Sequence, residues 1–124
     1  MSREIKFRAW DTETKEMSYD FLSKNWLRVC IESPYIELMQ YTGLNYKDDN
    51  QEVYEDDLCE NENVLYRVIW QNGQFALKVI KTLNVLARGL AFPIVHYLEG
   101  ENLICKKVGT AWENPELLKG EENA

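Results

Sequence analysis

"VLYRVIWQNGQFALKVI", Val64 to Ile80, decides the fold class. Two alternating runs flank Asn72-Gly73, the pair preferred where both central residues of a two-residue turn need positive φ. The stretch is therefore predicted as a β-hairpin. Val64, Tyr66, Val68 and Trp70 share one face, Leu65, Arg67 and Ile69 the other, and Phe75, Leu77 and Val79 continue on the returning strand.

Working outward, "EIKFRAW" alternates as a half-buried strand does, with Ile5, Phe7 and Ala9 on one side and Lys6, Arg8 and Trp10 on the other. The polar turn "DTETKEM" leads into "MSYDF", so a second hairpin opens the chain. Leu22 to Ser33 fits either a short helix or irregular strand, and Pro34 ends it. "YIELMQYTGL" reads as strand, stopped at Gly43. Val79, Leu83, Leu86 and Leu90 fall at helical spacing and suggest an amphipathic turn or two. "FPIVHYL" and "NLICKKVG" read as two more strands around the turn "EGE". In "WENPELL", Asn114 suits an N-cap and Pro115 the first helical position, so a short closing helix is expected. The sum is a mainly β chain with about seven short strands. Residues 1–118 read as one domain and 119–124 as a polar tail.

Composition excludes several function classes. The 124 residues suffice for one domain with a real core, and no apolar run is long enough for a membrane span. "MSREIKFRAWD" carries charge from its third residue and has no apolar core of a signal peptide, so a cytoplasmic home is expected. Cys30, Cys59 and Cys105 are odd in number and widely spaced, which argues for reduced, mostly buried thiols. They could form a zinc site only with His96, the single histidine, and the paired spacing of such sites is missing. His96 is better read as a satisfied strand residue. The formal net charge of −7 disfavours phosphate-backbone binding. If nucleic acid is bound, Arg3, Lys6, Arg8 and Trp10 on an outward strand face would carry it.

"NYKDDNQEVYEDDLCENEN", Asn45 to Asn63, sets eight carboxylates against one lysine. An EF-hand loop starting at Asp48 would need glycine and glutamate where Val53 and Cys59 stand. Glu55, Asp56 and Asp57 are the residues a hard cation would use, but one dense run lacks the ligands from separate elements that such sites draw on. A solvated acidic turn is the preferred reading. Cys59 beside this acid should have its thiolate disfavoured. No GxSxG, HExxH or phosphate-loop pattern occurs. No cofactor and no enzymatic activity are expected.

"REIKFRAWD" with Met17, "LMQYTGL" followed by "EVYEDDL", "YRVIWQNGQFAL" and "ENPELL" together resemble the YopX family of bacteriophage and prophage proteins. The resemblance implies a strand-rich fold with coiled, partly open sheets, and it implies no enzymatic activity or ligand. The family's turn usually reads Tyr-Glu-Gly-Asp, and Asp56 stands where glycine is usual. That implies a tight bend with Asp56 at positive φ, flanked by Glu55 and Asp57, and on that ground Asp56→Gly is expected to stabilise the chain. Val53 through Leu77 also looks like part of a small SH3-like barrel, a scaffold for binding rather than a function in itself. The expected role is that of a non-enzymatic accessory protein that binds an unknown protein partner or self-associates as a homo-oligomer. The alternatives are a nucleic-acid module and a metal-dependent hydrolase.

Overall fold

In the computed structural model the described residues are 6–19, 28–29, 31–83 and 85–118. The Asn-Gly hairpin forms as predicted: β6 (Val64–Gln71) and β7 (Gln74–Lys81) pair antiparallel, with Trp70 opposite Phe75 and Gln71 opposite Gln74. Asn72 at φ 55° and Gly73 at φ 79° give the two positive φ values that the turn requires. Tyr66, Val68, Phe75, Leu77 and Val79 fall on one face and enter one core cluster. Leu65 and Ile80 project to the opposite face and pack with Leu58. Both faces of the hairpin are thus buried at its base, while Trp70 near the tip is exposed and meets Phe75 edge-on.

β1 (Phe7–Asp11) and β2 (Glu16–Ser18) form the opening hairpin. β3 (Ile36–Tyr46) is longer than the sequence suggested, because Gly43 bulges the strand rather than ending it. Its first half pairs with β1 from Ile36 to Gln40, and its second with β4 (Glu52–Tyr54), with a register shift between Tyr41 and Asn45. Gly43 stands at φ 87° in this shift, where Thr42 Oγ1 donates to the Val53 carbonyl (2.8 Å) and accepts from the Leu44 amide (3.1 Å). β10 (Asn102–Leu103) runs parallel to the end of β3 and antiparallel to β9 (Leu98–Glu99).

The second sheet runs β11-β5-β6-β7-β8, with β5 (Asp57–Asn61), β8 (Ala91–Pro93) and β11 (Lys106–Thr110). Eleven strands are present among the described residues instead of about seven. The mainly β class holds, but the Val53–Leu77 segment closes no barrel: β4 belongs to the first sheet and β5 to the second. The chain passes between sheets at Glu55-Asp56. That crossing is tied on three sides, by Glu55 N to Gln40 O (3.0 Å), Asp56 N to Val68 O (2.8 Å) and Ala111 N to Asp56 O (2.8 Å).

The expected amphipathic turn or two over Val79–Leu90 is reduced, among the described residues, to a single 3-10 turn. Val79 belongs to β7, and only Val85–Ala87 form a 3-10 turn. Gly89 at φ 81° folds the connection back, so that Gly89 N reaches Val79 O (2.9 Å) and Leu90 O accepts from Val79 N (2.8 Å). "FPIVHYL" is not one strand: Ile94–Tyr97 form a 3-10 helix, and His96 is exposed on it rather than a strand residue. Between Leu22 and Ser33, Arg28, Val29, Ile31 and Glu32 are helical and the rest lies outside the described residues, as does the 119–124 tail. The closing helix is a 3-10 turn, Pro115–Leu118, whose Leu117 and Leu118 cover Leu58, Leu65 and Ile80.

Asp56 does sit at positive φ, 66°, yet the expected gain from glycine is corrected by its side chain. Asp56 Oδ1 accepts from Arg67 Nε (3.1 Å) and lies 3.0 Å from Arg67 Nη2, and Oδ2 accepts from Trp112 Nε1 (3.0 Å). Relief of the left-handed backbone is outweighed by loss of these charge-assisted bonds, so Asp56→Gly should be about 1–2 kcal/mol less stable. Asp56→Asn, which tolerates the same φ and keeps an acceptor for Trp112, should lose less. Urea midpoints of the three proteins check the order, and a glycine variant equal to the parent would show that strain dominates.

Candidate functional site

The acidic stretch that reads as a solvated turn contains one of the two charged residues that are fully buried among the described residues. Asp48, Asp49 and Glu62 are exposed, as expected, but Asp57 and Arg8 are both 0% exposed. β1 carries Arg8 inward and β5 opens with Asp57, which brings Arg8 Nη1 to 2.8 Å from Asp57 Oδ1. Neither of these two atoms completes a well-directed hydrogen bond, so the contact is chiefly coulombic. The other two guanidinium nitrogens each make a hydrogen bond. Arg8 Nη2 donates to the Glu55 carbonyl (2.8 Å) and Nε to Met39 Sδ (3.3 Å). Its guanidinium lies 4.8 Å from the Tyr54 ring centroid and 6.0 Å from that of Tyr19.

Asp57 Oδ2 accepts from the Tyr46 hydroxyl (2.7 Å) and the Tyr54 amide (3.1 Å), and Lys107 Nζ stands 3.8 Å from Oδ1. Burial pushes the Asp57 carboxyl up, against the pull of Arg8 first and then of Lys107, Tyr46 and the Tyr54 amide. Burial also raises the Tyr46 phenol, with Asp57's charge next, and raises Tyr54 to about 12, with Glu52's charge next. Cys59 and Cys105 are free and buried nearby. The Cys59 thiol is pushed up first by its hydrogen bond to Cys105, then by burial, while Asp57, the neighbour named by the sequence, contributes least. The cluster joins β1, β3 and β4 to β5 of the second sheet, with Arg8 and Asp57 shut off from solvent.

The residues that sequence reasoning grouped for function are therefore separated. Of the nucleic-acid face, Arg3 lies outside the described residues, Arg8 and Trp10 are buried rather than outward, and Lys6 is paired with Glu52. β1 alternates, but both of its faces are covered. Of the cation candidates, Glu55 Oε1 accepts from the Gln40 amide (2.8 Å), Asp56 serves Arg67 and Trp112, and Asp57 serves Arg8 and Tyr46. Three consecutive carboxylates diverge into three internal networks, and no group of metal-ligating side chains assembles among the described residues.

The surface feature that the sequence did not identify as functional is the β7–β8 connection. Leu83 is 96% and Leu86 85% exposed, and Leu90, Phe92 and Val95, which follow in sequence, are exposed as well. An open pocket of about 460 Å³ adjoins the connection, lined by Asn63, Lys81, Thr82, Leu83 and Arg88. The leucines were legible as an apolar periodicity, but that pattern pointed to a buried helix face.

The fold and these interactions define a two-sheet, strand-dominated protein organised around a buried ion pair. A family model described as "YopX protein" matches residues 23–119, and the chain belongs to the YopX family. The match begins after the "REIKFRAWD" opening and Met17 and contains the other segments that carry the resemblance. The fold is similar to that of protein EF1440 from Enterococcus faecalis, known from a crystal structure, at TM-score 0.56 and 22% identity over 95% of this chain and 100% of that one. No curated protein matches the chain.

Two predictions follow from the cluster's chemistry. Asp57→Asn keeps an acceptor for Tyr46 but strands a buried guanidinium that cannot lose its proton, and should cost about 3–5 kcal/mol at neutral pH. Arg8→Met strands a carboxylate instead, which can take up a proton. Loss of Arg8's pull raises its folded pKa further above the unfolded value near 4, so stability is kept at acid pH and falls as pH climbs through that window. Denaturant midpoints from pH 4 to 8, read against the parent's own slope, test the asymmetry. Parallel slopes in both variants would refute it.

The raised phenols act at the other end of the scale. Tyr46, Tyr54 and Tyr66 all hold their protons in the folded state beyond the unfolded value near 10, so their stabilisation is intact below that pH and lost as pH rises through the folded values. Phenolate absorbance of these tyrosines should therefore appear together with cooperative unfolding above about pH 10. Smooth titration with the far-UV dichroism unchanged would contradict this.

Proposed function

We propose that this YopX-family chain is a non-enzymatic phage or prophage accessory protein of the host cytoplasm that works by binding a protein partner or another copy of itself. The observation that carries the reading is the exposure of Leu83 and Leu86 on the β7–β8 connection, beside Leu90, Phe92 and Val95. A leucine left in water forgoes about 1.5–3 kcal/mol of burial, and several large apolar side chains exposed on one connection are what an interaction site would need. The connection is tied to β7 where it returns, through the bonds of Val79 with Gly89 and Leu90.

Further support comes from what the titratable groups do. The acidic residues best suited to catalysis or metal binding are engaged in holding the fold, and His96 stands on an exposed 3-10 helix apart from them. With Arg8 and Trp10 buried, no observation favours the nucleic-acid reading over the apolar surface. Among the described residues no helix is long and apolar enough to cross a membrane.

Leu83→Asp/Leu86→Asp tests the reading. The parent protein should self-associate with rising concentration in sedimentation velocity, or retain a defined partner from infected cells. The double variant should lose that association at least tenfold, about 1.4 kcal/mol or more, with an unchanged unfolding midpoint. Association that survives the double substitution intact would remove this surface from consideration.

A further inference from the structure

The pocket beside the exposed leucines is cationic in an acidic protein. The chain has 21 carboxylates for 14 Lys and Arg, and its described cations are largely engaged: Lys6 with Glu52, Arg8 with Asp57, Lys47 with Glu99 and Arg67 with Asp56. Among the described residues Lys81 and Arg88, like Lys15 and Lys106, have no such partner, but only these two share a pocket, the one of about 460 Å³. They reach it from separate elements, Lys81 from the end of β7 and Arg88 from the return of the β7–β8 connection.

The geometry that brings them together is defined. Lys81 lies opposite Leu65 in the β6–β7 ladder, and Arg88 immediately precedes Gly89, whose amide is bonded to Val79 O (2.9 Å). Asn63, in the β5–β6 turn at φ 66°, contributes an amide, Thr82 a hydroxyl and Leu83 an apolar wall. None of the described lining residues is a carboxylate.

We propose that this pocket binds a carboxylate-bearing, leucine-type peptide segment of a protein partner, with the carboxylate between Lys81 and Arg88 and an apolar side chain against Leu83. The inference rests on the reading of the connection as a docking surface and names the chemistry of its partner. Charge complementarity carries it, since unpaired guanidinium and ammonium groups converging beside apolar surface match an acidic, apolar segment. Nucleic acid fits less well. The net charge of −7 repels a polyanion, and the wall is an aliphatic side chain rather than the aromatic platform on which bases stack.

The test uses the full chain and short end-capped peptides that alternate leucine with glutamate, glutamine or lysine, followed by amide chemical shifts. The glutamate peptide should shift the amides of Asn63, Lys81, Thr82, Leu83 and Arg88. It should bind at least tenfold more tightly than the glutamine peptide and weaken with added salt. Lys81→Gln/Arg88→Gln should remove that tenfold preference while leaving the unfolding midpoint unchanged. Equal binding of the glutamate and glutamine peptides at this surface, abolished by Leu83→Ser, would overturn the carboxylate site and leave the apolar docking surface standing. Absence of binding by any peptide at millimolar concentration, shifts that map elsewhere, or binding of a single-stranded oligonucleotide alone would also overturn it.

Discussion

The contact between Arg8 and Asp57 is the constraint on which the arrangement of the two sheets depends. Moving either group out of water costs several kcal/mol, and mutual attraction offsets this only where further polar contacts satisfy what the pair leaves open. Here they do. The Glu55 carbonyl and Met39 sulfur take up the rest of the guanidinium, the Tyr46 hydroxyl and Tyr54 amide take up Oδ2, and Tyr54 lays its ring against the cation. Each accessory contact comes from a different part of β3, β4 or the β4–β5 crossing. The charge can therefore be tolerated only when those elements are in place, so the pair makes one packing of the sheets far cheaper than any other.

The neighbouring Asp56 extends the same logic to the second sheet. Its backbone bonds to Val68 and Ala111, and its side chain to Arg67 and Trp112, so one residue at positive φ fastens the crossing to β6 and to the end of β11. Beyond β11 the chain turns back closely. A Cβ placed on Gly109 would lie 2.4 Å from Asn114 Oδ1, which itself accepts from the Thr110 amide (3.1 Å). Glycine is needed there because of that approach, and the approach brings Leu117 and Leu118 over the outer face of the sheet. The acidic run and the carboxy-terminal turn are parts of one closure.

Which features the sequence disclosed follows from how local their causes are. The Asn72-Gly73 turn was legible because two adjacent residues determine it, whereas the bend at Asp56 was implied by the family resemblance. The extension of β3 past Gly43 and the parallel pairing of β10 were not, since they depend on partners far along the chain. Asp57 was read as solvated because its run is acidic; nothing beside it in sequence shows that Arg8 awaits it. Leu83, Leu86 and Leu90 matched a helix template by spacing alone, but they lie in a connection that Gly89 turns back onto Val79, leaving their side chains outside. Exposure is a tertiary property, so the candidate surface could not be distinguished from a core face until the fold was known.

The same division between interior and surface bears on how the molecule would recognise a partner. β7 is buried on both faces, with Leu77, Val79 and Ile80 all inside, and it leads directly into the exposed connection. A surface mounted on such a strand has little freedom to lose where it rejoins the sheet, and binding by a preformed surface avoids part of the ordering cost that weakens flexible loops. The charge distribution adds direction to this. Most carboxylates near the crossing are neutralised internally, whereas Lys81 and Arg88 remain unpaired beside the leucines among the described residues. Apolar contact there supplies affinity that any hydrophobic partner could share, while the two cations discriminate among such partners, because a basic segment brought to the same leucines would meet like charge.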